Sequence, residues 1–342
     1  MKKKILVAMS GGVDSSAAAA LLKEEGHEVT GATMKLLDAP SGKAGDAKKV
    51  AETLGFRHLI LDYTDPFRDL VIRPFIDEYR KGRTPNPCVL CNAALKFGLL
   101  LKKAADLGMD FLATGHYARI TQNRLYAALD REKDQSYFLY RLNHGNLGRI
   151  IFPLGEMKKT ETRALAKRFK LHLHDKKESQ DICFTEKGKY RDFIEKEAGR
   201  GARGFILDKS GRMLGEHDGL YRYTIGQSRG IGPRGRKMYI TAMNGESNSI
   251  TIGEKKDLLS RGMTVDGVNC CCDEIRAGGR YEARIRYRSA PRACRVESLE
   301  QGVMRLVFDE PVEAVAPGQA AVLYRGDEVM GGGVIREPIP LN

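Results

Sequence analysis

The sequence contains no tryptophan, and no apolar run approaches the ~20 residues that a helical membrane span requires. The opening Met1–Met9 imitates a signal peptide, but Ser10, Gly11, Gly12 and Asp14 interrupt it before an export-type apolar stretch can form. Secreted and membrane classes are therefore set aside, and a cytoplasmic protein is expected. There is no repeat at a fixed period and no low-complexity tract. The 42% hydrophobic content of the 342 residues is enough for packed cores, which argues against disorder. Lysine is missing from residues 261–342, where all 11 basic residues are Arg, against 12 acidic ones. The chain as a whole carries 57 Lys and Arg against 44 Asp and Glu, for a net charge of +13. The excess lies mostly in residues 156–240, with 21 basic and 12 acidic residues. A basic middle suits a polyanion, because each neutralised phosphate releases counterions.

The seven cysteines are odd in number and clustered, which fits a reducing compartment and not a disulfide framework. Cys270, Cys271 and Cys272 alternate faces of an expected strand, and with Cys294 they read as small buried hydrophobes. A closed zinc site needs four ligands, and Cys88-x-x-Cys91 has no second Cys pair or His pair near it in sequence.

Up to about residue 114, short apolar runs alternate with longer periodic stretches. Strands are expected at Ile5–Ala8, Glu28–Met34, His58–Asp62 and Phe111–Thr114. Helices are expected at Asp14–Glu25, Asp46–Leu54, Phe67–Arg80 (kinked or interrupted at Pro74) and Asn92–Leu107. This alternation predicts an α/β, doubly wound parallel sheet. Thr160–Phe169 and Lys189–Glu197 add helices. Beyond about residue 200, glycines punctuate short apolar segments, as in a small β-rich domain. From about residue 260, strands at Tyr281–Arg288, Cys294–Ser298, Arg305–Phe308 and Ala320–Tyr324 suggest a small barrel or sandwich. The predicted domains are 1–198, 199–258 and 259–342.

Two constellations carry chemistry. Lys4-Ile-Leu-Val-Ala-Met-Ser10-Gly11-Gly12-Val13-Asp14-Ser15-Ser16 is a strand, a glycine turn and a helix start. Its backbone amides, hydroxyls and helix N-terminus are suited to phosphate. It is not a Walker loop, since no Gly-Lys-Ser/Thr follows. The second is Gly82-Arg-Thr-Pro-Asn-Pro-Cys-Val-Leu-Cys-Asn92, a loop stiffened by two prolines and feeding a helix. Asn92 reads as the N-cap, which would set Cys91 beside a helix N-terminus where a thiolate is favoured. Cys183 lies far off in Glu178-Ser-Gln-Asp-Ile-Cys-Phe184. Arg284, Arg286 and Arg288 fall at alternate positions of the expected strand and would share one phosphate-facing row.

Ser-Gly-Gly-Val-Asp-Ser-Ser matches the PP-loop of ATP pyrophosphatases. Together with Gly82-Arg-Thr-Pro-Asn-Pro, Cys91-Asn92, Ala113-Thr-Gly-His-Tyr117, Lys133-Asp-Gln-Ser-Tyr-Phe-Leu-Tyr140, Asp181-Ile-Cys-Phe184, Thr224-Ile-Gly-Gln227, Arg286-Tyr-Arg288 and Pro317-Gly-Gln319, it makes the chain resemble the bacterial tRNA-specific 2-thiouridylase family over nearly its whole length. The resemblance implies a PP-loop domain, a small central domain and a C-terminal β-barrel. It implies that ATP, with Mg²⁺, adenylates the C2 carbonyl oxygen of a tRNA wobble uridine, releasing pyrophosphate and then AMP as sulfur enters. ATP would be bound by Ala8, Met9, Ser10, Gly11, Gly12, Val13, Asp14, Ser15 and Met34, with Gly115 closing on it; Asp14 is counted in the catalytic set. Cys183 would carry the persulfide and Cys91 would be the nucleophile that resolves it. Asn86, Pro87 and Cys88 would meet the target base. His116, Lys133, Asp134, Gln135, Arg286, Tyr287 and Gln319 would contact RNA. The implied partners are the anticodon regions of Glu, Gln and Lys acceptor tRNAs and a persulfide donor protein, with the enzyme a monomer.

Cys88 stands where some family members have Asp. The alternative to a persulfide relay is therefore an iron–sulfur cluster held by Cys88, Cys91 and Cys183, similar to cluster-dependent RNA thiolases. Leu36–Gly45 and Gly230–Tyr239 are shorter than is usual in the family, so a different RNA uridine is the alternative target. His172, His174, His217, Asp218 and the Lys176-Lys177 pair read as structural or solvated residues.

Overall fold

The computed structural model describes residues 1–37, 43–174, 182–185, 188–232, 235, 237–271 and 275–341. Asp181, Lys176, Lys177, Cys272 and parts of the two shortened segments lie outside the described residues.

The N-terminal region contributes seven strands: Lys4–Ala8 (β1), Glu28–Lys35 (β2), Arg57–Asp62 (β3), Phe111–Thr114 (β4), Ala118–Thr121 (β5), Arg124–Ala127 (β6) and Ile150–Ile151 (β7). Five of them form a parallel sheet in the order β3-β2-β1-β4-β7. The apolar run Ile5-Leu6-Val7 is wholly buried, as befits a central parallel strand covered on both faces. β2 and β4 flank β1 on opposite sides, so the turn leaving β1 sits at the point where the strand order reverses. Helix α1, Val13–Glu24, follows that turn and buries Ala17 to Ala20 completely. Its small side chains allow the close approach of helix Lys159–Arg168. Helix α2, Lys43–Leu54, covers the sheet beside it.

Residues 64–80 form one continuous helix in which the expected break at Pro74 takes a specific form. Arg68–Ile72 is a π-helical turn and the α-helix resumes at Arg73, so Pro74, which has no N–H, falls where the hydrogen-bond register changes. Residues 87–106 form a second continuous helix. It is α at Pro87–Leu90, π from Cys91 to Leu100, and α again at Leu101–Asp106.

The central region holds Gly204–Leu207 (β8), Met213–His217 (β9), Tyr239–Asn244 (β10) and Ser249–Gly253 (β11), in the order β10-β11-β8-β9. The last six strands are Leu259–Cys270 (β12), Arg280–Arg284 (β13), Arg292–Glu300 (β14), Val303–Glu313 (β15), Ala320–Arg325 (β16) and Glu328–Pro340 (β17). They run β12-β15-β14-β13-β16-β17 and close through β12–β17 into an antiparallel barrel around Met263, Val296, Leu306, Leu323 and Ile335. The α/β domain followed by a small β domain and a barrel is thus the architecture the sequence predicts. Unforeseen is the β5–β6 hairpin, which leaves the first domain and extends the barrel sheet at Tyr126 and Glu328, where Arg124 bonds Glu328 at 2.7 Å.

The expected strand Tyr281–Arg288 ends at Arg284, and with it the expected row of three arginines. Arg284 turns inward to a buried ion pair with Asp134 (2.8 Å) and lies over the Tyr324 ring. Asp134 also accepts from the backbone N–H groups of Ala128 and Ser136. Arg286 and Arg288 stay exposed, and Arg286 donates to the Ala314 carbonyl. Removing one partner of a buried pair strands the other's charge. Arg284→Met is therefore expected to lower unfolding stability by about 3 kcal/mol, measurable by urea titration of the full chain.

Candidate active site

The glycine loop is held in shape by its own hydroxyls. Gly11 adopts φ +67° and Gly12 caps α1 without a side chain. Ser15 Oγ accepts from the Ser10 N–H (3.1 Å) and donates to the Gly12 carbonyl (3.2 Å), and Ser16 Oγ donates to that same carbonyl (2.9 Å). The first-turn amides of α1 lack intrahelical acceptors and are aimed at the space beyond β1, as an anion site requires. Gly115 closes this cradle from the end of β4. A Cβ there would stand 2.6 Å from the Ser15 nitrogen and 2.7 Å from the Asp14 carbonyl carbon. Met9 is buried behind the loop, and its Sδ fills the space above Gly31. Ala8 and Met34 are partly buried at the ends of β1 and β2.

Asp14 is set by two residues that sequence reading did not single out for it. Lys159 Nζ lies 2.5 Å from Asp14 Oδ1, and Tyr117 donates its hydroxyl to the same oxygen at 3.0 Å. Tyr117 is in turn fixed by Gln135, which accepts from the Tyr117 N–H (3.0 Å) through its side chain and donates its own N–H to the Tyr117 carbonyl (2.8 Å). Both partners are remote in sequence, and only helix Lys159–Arg168 packing on α1 brings the ammonium to the loop. The fit to a nucleotide triphosphate is good: a glycine cradle, free helix-end amides and a lysine.

The thiol site departs from expectation in its cap. Asn86, not Asn92, caps the helix, its side chain accepting from the Cys88 N–H at 3.2 Å. Asn92 is buried inside the helix and donates to the Phe138 carbonyl at 3.2 Å. Cys91 accordingly lies in a dry helix interior, and burial raises its thiol instead of lowering it. Burial likewise pushes Cys88 up to about 12. Cys183 is exposed, on a segment anchored by Phe184 against Phe67, Phe75 and Phe193. Ionised Cys183 raises both other thiols, so the three side chains share one electrostatic neighbourhood despite their sequence separation. Lys96 opposes burial at both Cys88 and Cys91. Among the described residues, no three Cys, His, Asp or Glu side chains stand as a metal-ligating group. As placed, the thiols do not fit an iron–sulfur cluster.

The loop that presents Cys88 is pinned by the two regions that follow the first domain. The Thr84 N–H donates to Pro317 O (2.8 Å), Gln319 Nε2 donates to Thr84 O (2.9 Å), and Thr84 Oγ1 meets Thr224 Oγ1 at 2.6 Å. The segments at Thr224–Gln227 and Pro317–Gln319 thus serve as clamps on the thiol loop. Pro87 is buried, and the Tyr287 ring packs on Phe138 with centroids 4.4 Å apart and the planes tilted by 39°. His116 is held between Thr114 Oγ1 (2.6 Å, at Nδ1) and Lys96 Nζ (3.4 Å, at Nε2), and burial lowers its pKa well below the usual value. Lys133 is half-buried at a turn, and Asp134 is occupied by Arg284. Cys271 and Cys294 are buried and donate weakly to the carbonyls of Tyr140 and Tyr281. His217 is buried and bonded to Asn248 O and the Gly219 N–H.

Comparison with known proteins matches these regions one by one. Residues 3–187 match the family described as tRNA methyl transferase HUP domain, 191–254 its PRC-barrel domain, and 260–335 the aminomethyltransferase beta-barrel domain. A "tRNA-specific 2-thiouridylase MnmA" from Carboxydothermus hydrogenoformans is 43% identical, covering 98% of both chains. Another of that name, from Geobacter metallireducens, is 45% identical over 98% of this chain and 97% of its own. A solved NMN synthetase from Francisella tularensis aligns at 17% identity over 58% of this chain and 78% of its own, with a TM-score of 0.37, too slight a likeness to carry an argument. With identity of this order over nearly the full length, and all three regions matched by family models, this chain belongs to the tRNA-specific 2-thiouridylase family.

Proposed function

We propose that this protein converts a uridine of tRNA to 2-thiouridine using ATP and a cysteine persulfide. The observation that carries this reading is the division of labour among the thiols. Cys183 is exposed and open to a donor protein, whereas Cys91 is buried beside it and shielded from premature oxidation. The glycine loop binds the triphosphate, and the uridine O2 attacks the α-phosphorus, forming the O2-adenylate and expelling pyrophosphate. Asp14, oriented by Lys159 and Tyr117, is the carboxylate available to Mg²⁺, which would take most of its ligands from phosphate oxygens and water. Mg²⁺ supplies neutralisation of the triphosphate charge.

The terminal sulfur of a Cys183 persulfide then attacks C2, and the C2–O bond breaks with AMP as leaving group. Cys91 displaces the remaining sulfur–sulfur bond at Cys183. That leaves thiocarbonyl on the base and a Cys91–Cys183 disulfide, which an external dithiol reopens with two electrons. The persulfide itself comes from a sulfur donor protein. Attack at C2 needs an unstacked base, which an anticodon loop supplies at little cost, and the wobble uridine of Glu, Gln and Lys acceptors is the proposed target. The segments 1–198, 199–258 and 259–342 are proposed as catalytic, central and RNA-binding units of a monomer. Asn86 caps the thiol helix and Cys88 lies in its first turn, and with Arg286 and Tyr287 they are proposed to meet the RNA.

Nucleoside mass spectrometry on tRNA from cells lacking the gene tests the assignment. Loss of 2-thiouridine at the wobble position, restored by the wild-type gene, is the expected outcome; an unchanged level would sink it.

A further inference from the structure

Lys96 is a cation in a place where a regular helix would not put it. Five residues separate it from Cys91, which on an α-helix would set the two side chains about 140° apart around the axis. The segment Cys91–Leu100 is π-helical, and a Cβ added at Gly98 would stand 3.0 Å from the Ala93 carbonyl oxygen five residues back. In that register, residues five apart stand roughly one above the other, about 50° apart. Lys96 is thereby carried onto the face that bears Cys91.

Its ammonium is then tethered from the neighbouring strand. Thr114 Oγ1 lies 2.6 Å from His116 Nδ1, which leaves Nε2 of the neutral ring to accept from Lys96 Nζ at 3.4 Å. Phe97 and Phe152 pack on the His116 ring and hold its plane. The tether begins one residue from Gly115, whose backbone abuts Ser15 of the nucleotide loop, so Lys96 is referenced to the same element that closes on ATP.

We propose that Lys96 is a positioning residue whose ammonium, oriented by Thr114 and His116 and brought round by the π-helical register, stabilises the anionic sulfur that Cys91 needs to act as a nucleophile. It counters the penalty of placing that thiol in a dry helix interior, where burial alone would leave it protonated and inert. The titratable groups facing Cys91 are Cys88 and Lys96 on its own helix and Cys183 on the facing segment, with His116 of the adjoining strand end acting through Lys96. The inference rests on the proposed role of Cys91 in sulfur transfer, but its test does not depend on ATP or RNA.

That test is the pH profile of Cys91 alkylation in the full-length protein, followed by peptide mass spectrometry with partly exposed Cys270 as internal standard. In Lys96→Met the Cys91 profile should move to higher pH, with a rate at pH 8 about tenfold below wild type, as loss of a nearby charge implies. Lys96→Arg, which keeps the charge, should restore most of that rate, and Cys270 should not change. His116→Phe, which removes the tether alone, should give a smaller shift in the same direction. An unchanged Cys91 profile in Lys96→Met overturns the proposal. So does an equal loss in Lys96→Arg, which would make shape and not charge the operative property. Failure of the tRNA assignment itself would leave these profiles shifted, so the two readings fail separately.

Discussion

Replacing Cys183 with Ser is expected to abolish 2-thiouridine formation while the protein still releases pyrophosphate from ATP in the presence of tRNA. In the proposed mechanism adenylation needs the glycine loop and the uridine oxygen, and neither touches sulfur. The sulfur step needs a terminal sulfur that only a cysteine can carry, and hydroxyl oxygen cannot substitute. We expect a loss of at least about a thousandfold in thiolation for Cys183→Ser and for Cys91→Ser, with the double variant no worse than either, because the two thiols act as a unit. The variants differ in what accumulates. Cys91→Ser, loaded with persulfide and incubated without a dithiol, should retain an RNA–Cys183 adduct through a disulfide link that added thiol releases. Retention of thiolation in Cys183→Ser, measured by nucleoside mass spectrometry in single turnover, would remove Cys183 from the mechanism. It would point instead to buried Cys91 or half-buried Cys88 as the sulfur carrier.

The second large effect is expected from a single methyl group. In Gly115→Ala the new Cβ would lie 2.6 Å from Ser15 N, 2.7 Å from the Asp14 carbonyl carbon and 2.9 Å from Ser15 Cα. Those are backbone atoms of the nucleotide loop, so relief requires the loop itself to move. A displacement of the order of an ångström at a positioning element costs about a hundredfold in rate, and a comparable fall in kcat/KM for ATP is expected. The contact is confined to the nucleotide loop and the end of β4, so the thermal transition should fall by only a few degrees. The contrast is Gly31, where a Cβ would meet side-chain atoms of Met9, His58 and Phe56 and no backbone of the nucleotide loop. Gly31→Ala should therefore cost ATP turnover far less than Gly115→Ala. Equal effects at both positions would refute the backbone-contact argument.

Much of the fold was legible because it is written in local patterns. The run Ile5-Leu6-Val7, the glycine turn after it and the alanine-rich helix behind it each specify their conformation within a dozen residues. Phe111–Thr114 is a strand with the predicted ends. The barrel strands were visible as elements but misjudged in extent. The strand stops at Arg284, and that residue's guanidinium is committed to Asp134, 150 residues earlier, a pairing that no sequence window holds. The β5–β6 hairpin was missed for a similar reason: it is short, and its pairing partner lies about 200 residues away.

The site shows the same division. Cys88, Cys91, Cys183 and the glycine loop stand out in the sequence because their residue types and spacings admit few uses. Their environments do not. Reading Asn92 as the cap implied an easily ionised Cys91, whereas the helix begins a turn and a half earlier at Asn86 and carries Cys91 into its buried interior. Lys159 and Tyr117 on Asp14 join segments remote in sequence within the first domain, and Thr224 and Gln319 on Thr84 join it to the other two, so only the folded chain brings these groups together.

The sequence alone therefore determined which groups are available: a phosphate-cradling loop, three thiols and a basic chain, since these follow from residue type and short-range backbone geometry. Tertiary structure alone decided what those groups are ready to do. Reactivity is set by solvent exclusion and by the charges nearby, and both depend on the π-helical register that turns Lys96 toward Cys91 and on the packing that leaves Cys183 outside.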